Sequence, residues 1–177
     1  MRAKRHIKKI THQAAGAFGE KAAEAELLRH NWIPANVNQT VKNAAKFDIF
    51  AVKADRPDRS VQIRVKTCRP KMTGFLWGGF SPDAPISTAD IAASDFTVVV
   101  RMGERREQDR FYVVPTAVAW KEIANRQSEH RNKKTGVKEI GMWRLTFRDR
   151  KDGQEEAGRG IERKWGKYED SWDLLDG

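Results

Sequence analysis

The sharpest hydrophobic pattern lies in residues 60–67, where Val61, Ile63 and Val65 alternate with Gln62, Arg64 and Lys66. Period-two alternation predicts a strand with one buried face. Just upstream, residues 46–52 form an apolar run (Ile49, Phe50, Ala51, Val52) that opens on Asp48. A carboxylate in that setting must be solvated at the strand end or engaged with a cation. The polar stretch 53–59, which contains Pro57, is short enough to join the two strands as a hairpin. Asp48 at the start of one strand and Lys66 at the end of the next then share a surface.

Around this pair the chain reads as an α/β order. Thr11 is a candidate cap for a helix over 13–30, with Phe18, Ala22, Ala25 and Leu28 as its apolar stripe. Glu20, Ala23 and Leu27 form the adjacent stripe, with Glu24 on the same side. Gly16 and Gly19, one turn apart, point either to close approach by another element or to a frayed first turn. Pro34 ends the helix and begins an edge strand over 35–40. Residues 68–85 read as an irregular insertion with Arg69 and Lys71 beside Phe75, Trp77 and Phe80. Such aromatics either cover a sheet edge or stack on bases. Ser87 and Asp90 resemble a capping box for a short helix to Ser94. The β-branched run 96–100 predicts a buried strand, residues 101–110 a hairpin loop, and 111–114 the returning strand. A helix follows over 115–126. Beyond it the composition turns basic and polar, with a candidate strand at 143–147, a charged loop at 148–160 and helical character over 165–175. Three segments result: a basic arm over 1–12, a core domain over 13–126, and an extension over 127–177 packed on the core.

An Asp on one strand and a Lys on the next, with a Glu on the preceding helix, resembles the PD-(D/E)-x-K nuclease superfamily over residues 11–126. Asp48 matches its Asp, Lys66 its Lys, and Glu20 the helical Glu of resolvase-like members. The resemblance implies a restriction-endonuclease-like αβββαβ core, a mixed central sheet flanked by helices. It also implies metal-dependent phosphodiester hydrolysis with Mg²⁺ or Mn²⁺. Glu20 and Asp48 would be ligands, the Val65 carbonyl a weaker one, and Lys66 the group that orients water or steadies charge. One position departs from the pattern: Arg64 stands where the superfamily has Glu, Asp or Gln. Glu20, Asp48, Arg64 and Lys66 then sum to no net charge, and a guanidinium does not lose its proton at ordinary pH. Gln62 shares the face one pleat back and completes a displaced site only by rearrangement. Alternatively Arg64 pairs with Asp48 in the metal's place, leaving a binding module that holds no metal and does not cut. A third alternative is that these residues form an ordinary surface charge network.

Charge then narrows the partner. The 177 residues carry 34 Lys and Arg against 24 Asp and Glu, a formal net charge of +10. Clusters at 1–9 and 131–138 point to nucleic acid, DNA ahead of RNA. An acidic protein partner is the alternative that charge alone leaves open. The single cysteine, Cys68, cannot form an internal disulfide, which fits a cytoplasmic protein. No run approaches the ~20 apolar residues of a membrane span. The histidines show no metal-ligand spacing. The oligomeric state stays open, a homodimer among the alternatives.

Overall fold

The computed structural model describes residues 11–37, 47–70, 72, 74–78, 87, 89, 91–132, 142–146 and 160–177. The leader 1–9 and most of the basic cluster 131–138 lie outside them, as does Phe80. Helix α1 (His12–Arg29) starts at Thr11, whose hydroxyl accepts the Ala14 N–H at 3.1 Å. The helix buries Ala15, Gly19, Ala23 and Leu27. Phe18 and Ala22 are only partly covered, and Leu28 is 61% exposed. The inward stripe is therefore the small-residue row next to the one that hydrophobicity favours. Close packing explains the shift. A Cβ on Gly19 would overlap the Thr67 hydroxyl and press on Thr67 Cβ and Cγ2, whereas one on Gly16 meets nothing within 4 Å. Rotating Thr67 cannot relieve a contact that involves its own Cβ.

This contrast carries a prediction. Gly16→Ala should stabilise the protein by about 0.5–1 kcal/mol through helix propensity alone. Gly19→Ala gains the same propensity but adds overpacking of roughly 1–3 kcal/mol. Thermal melts should therefore move in opposite directions for the two variants. Equal upward shifts would mean that α1 does not lie this close to Thr67.

The helix ends before the proline takes effect, because Asn31 adopts the left-handed conformation (φ 64°) that turns the chain. Strand β1 (Trp32–Asn36) consequently begins earlier than expected and places Pro34 within an edge strand, opposite Ala51. A missing N–H is tolerated there. Strands β2 (Ile49–Lys53) and β3 (Arg56–Cys68) form the expected antiparallel hairpin. Its register shifts between Val52 and Lys53. β3 pairs in parallel with β5 (Asp95–Arg101), and β5 pairs antiparallel with β6 (Arg110–Pro115). The result is a mixed five-stranded sheet, β1-β2-β3-β5-β6. The fold is α/β, with helices flanking that sheet.

Two cores lie on the two faces. Val61, Ile63 and Val65 join Ala23, Leu27 and Trp32 on the α1 side. Val99, Tyr112 and Val114 join Ala119 and Ile123 of helix α2 (Thr116–Asn132) on the other. Five successive residues of β5, Phe96 to Val100, are buried because both faces of this strand are covered.

Two elements between β3 and α2 differ from the expectation. Gly74–Gly78 is strand β4, paired with β7 (Met142–Thr146) in a separate two-stranded sheet. The insertion looked irregular because β4's partner is remote in sequence and glycines flank its alternation. Among the described residues of 87–94 none is helical. Ser87 caps a tight turn through the Ala89 N–H, while Asp95 Oδ2 and the Asp95 N–H both bond Ala92. So short a run lies below the length at which a helix sustains itself without packing.

The C-terminal residues complete both cores. Helix α3 (Ile161–Trp165) puts Ile161 and Trp165 under α2, and a 3-10 turn, Trp172–Asp176, puts Trp172 and Leu175 under α1. Arg110 grips Glu169 with two nitrogens and Glu162 at 2.7 Å, and Arg101 also reaches Glu162 at 2.7 Å. Asp176 pairs with the buried Lys53 at 2.7 Å.

Candidate active site

Asp48 sits where β2 leaves the sheet. Its N–H donates to the Ile63 carbonyl at 2.9 Å, next to the last ladder pair, Ile49 with Ile63. Beyond that pair β3 would lose its neighbour, but Asp48 Oδ2 accepts the Val65 N–H at 2.7 Å. The carboxylate thus extends the ladder by one rung. A strand residue sends its N–H and C=O toward the same neighbour, so the Val65 carbonyl opens on the Asp48 side. The Val65 side chain is buried in the α1-side core.

Glu20 reaches the site from α1. Asn36 Nδ2 on β1 donates to Glu20 Oε2 at 3.0 Å and to Glu24 Oε1 at 2.8 Å, drawing the two carboxylates together. Asn36 Oδ1 is buried and has no hydrogen-bond partner among the described residues. The close passage of Gly19 over Thr67 sets this turn of α1 beside the end of β3, next to Lys66.

The electrostatics of Lys66 record the convergence. Burial holds its ammonium below the ordinary lysine value and the Arg64 charge pushes the same way, while Asp48 and Glu20 oppose them. Arg64 is also lowered, again by burial first, with Asp48 opposing. The direct Arg64–Asp48 ion pair does not form. The Asp48 carboxylate is turned to the Val65 N–H, and the Arg64 guanidinium carbon lies 6.0 Å from the Trp77 ring centre. Lys66 Nζ lies 5.6 Å from the same ring.

Of the residues singled out in the sequence, Glu20, Asp48 and Arg64 come within electrostatic reach of Lys66, Arg64 also within reach of Asp48, and Val65 joins through its backbone. Gln62 lies opposite Phe50, and its side chain makes no hydrogen bond among the described residues. Phe75 and Trp77 are buried, so they cover the sheet and are not available to stack on bases. Asn36, Glu24 and Trp77 complete the surroundings. Only Glu24 had a signal, its position one turn after Glu20. Asn36 and Trp77 are brought in by strand pairing.

Among the described residues no three of His, Cys, Asp and Glu gather as a cation site. The donors near Lys66 are two carboxylates and a main-chain carbonyl. They are hard oxygens of the kind Mg²⁺ and Mn²⁺ take, and with Arg64 drawn onto Trp77 they fit such an ion in chemistry. The Asn36 oxygen beside Glu20 and Glu24, buried without a partner among the described residues, is a further neutral donor.

No protein-family model matches the chain, and no curated protein matches it. Among solved structures the chain is similar to the bacterial homing endonuclease I-Ssp6803I, with 16% identity and a TM-score of 0.48. That similarity covers 94% of this chain and 92% of the other.

Proposed function

We propose that the chain is a nuclease-like, DNA-binding protein of the PD-(D/E)-x-K type. Its site hydrolyses phosphodiesters with a weakly held divalent metal. The observation that carries this reading is that Asp48, before β2, and Glu20, on α1, both attract the ammonium of Lys66 on β3, although each comes from a different element. A formal charge of +10 supports a polyanionic partner.

Glu20, Asp48 and the Val65 carbonyl would hold the metal. When bound, such an ion activates a water and neutralises charge on the phosphorane-like transition state. The chain's own residues do the positioning. The Val65 N–H fixes one Asp48 oxygen. Asn36 fixes one Glu20 oxygen in the same way. Lys66, partly covered and attracted by both carboxylates, provides a cation for the phosphate that reacts there.

The test is nicking of supercoiled plasmid with Mg²⁺ and with Mn²⁺. Wild type should nick, and Asp48→Ala should lose more than the ~10–100-fold that removal of an outer-sphere partner costs. Duplex binding without nicking at any metal concentration would leave the non-catalytic binding module, the reading that Arg64 favours. Nicking that survives Asp48→Ala would place the chemistry elsewhere.

A further inference from the structure

Arg64 and Lys66 differ from the other covered cations among the described residues. Lys53 has Asp176, Arg101 and Arg110 share Glu162, and Arg126 has Glu122. Arg64 and Lys66 make no hydrogen bond and no ion pair among the described residues. Their interactions are the face of Trp77 and longer-range attraction to Asp48 and, for Lys66, Glu20. A guanidinium offers five N–H donors and an ammonium three. Partly covered donors without acceptors are costly, and two like charges side by side add repulsion.

Trp77 explains how the pair is held. Trp77 is fully buried, and the β4–β7 backbone register sets it opposite position 143. A rigid aromatic face attracts cations without consuming their N–H donors. Both donor sets are thereby oriented and left open toward an incoming group. What they lack is an acceptor that has at least two oxygens and carries negative charge. The nearby carboxylates attract the pair at longer range without bonding to it.

We propose that Arg64 and Lys66, seated side by side on Trp77, clamp the two non-bridging oxygens of one phosphodiester, with no metal required. This site rests on the DNA-binding reading above and gives Arg64 a role that an acidic residue at its position could not fill. Arg64 is here a binding residue, and Trp77 positions it.

The experiment uses the full chain in excess EDTA, observed by ¹H–¹⁵N spectra. The probes are the dinucleotide dTpdT, with thymidine as the uncharged control, and a short duplex for affinity. The Arg64 Nε–H and Trp77 indole N–H signals should move with dTpdT and stay fixed with thymidine. Arg64→Gln should abolish the Trp77 shift and weaken duplex binding by about tenfold, the scale of one charge-assisted hydrogen bond. It should also reduce the slope of log K against log salt by about one unit. Arg64→Lys, which keeps the charge, should retain that slope, and this separates loss of a phosphate contact from damage to the fold. Arg64 and Trp77 signals that ignore dTpdT while the duplex still binds would overturn the clamp and leave DNA binding standing. A dTpdT response without duplex binding would uphold the phosphodiester site and remove the DNA reading.

Discussion

Arg64→Glu is expected to raise the affinity for Mg²⁺ and Mn²⁺ by on the order of a hundredfold. The substitution removes a fixed cation and supplies a carboxylate on the face that holds Asp48 and Lys66, reversing the local charge by two units. One unit charge at ~4 Å is worth about 4 kcal/mol at the effective dielectric of a protein surface. Desolvation of the new carboxylate takes back part of that, which is why the expected gain is nearer a hundredfold than the full electrostatic figure. Titration calorimetry on both proteins measures it. The same variant should bind duplex more weakly in EDTA, since the clamp loses its guanidinium. Unchanged metal affinity would mean that Glu20, Asp48 and Lys66 form an ordinary charge network, whatever the wild type binds.

The second large effect is expected at the C-terminus. Trp172 is 2% exposed, stacks on His30 at 5.3 Å between ring centres, and meets Phe111 at 5.9 Å. Trp172→Ala should cost roughly 3–5 kcal/mol, a large share of the ~5–15 kcal/mol by which domains are stable. For a chain of this length each kcal/mol lowers the melting temperature by about 2–4 °C. A chain ending at residue 159 should not fold at all. It would lack Ile161, Trp165, Trp172 and Leu175, which are buried in both cores. It would also leave Arg101, Arg110 and Lys53 without the carboxylates of Glu162, Glu169 and Asp176. Calorimetry on the shortened chain decides the matter. A cooperative melt close to that of the intact protein would show the last 18 residues to be an accessory.

Local pattern was enough wherever a residue's fate depended on its own strand. The alternation of Val61, Ile63 and Val65 with Arg64 and Lys66 reports a single buried face. The unbroken run of β5 reports two. Asp48 and Lys66 were legible as a pair because a short hairpin leaves little freedom in how their strands meet. The inward face of α1 was not legible, because hydrophobicity ranks Phe18 and Leu28 above Gly19 and Ala23. The close passage over Thr67 ranks them the other way.

The sequence by itself determined the composition of the candidate site: two carboxylates and two cations, carried on a helix and a hairpin, one of the cations an arginine. Tertiary structure alone decided what that arginine does. Trp77 reaches it from β4, a strand that exists through pairing with β7, more than sixty residues further along the chain. Asn36 gathers Glu20 and Glu24 from an edge strand with no local mark. Periodicity says which side chains are buried. It carries no information about which distant element buries them, and here that element turns Arg64 from a partner for Asp48 into an open cation on an aromatic seat.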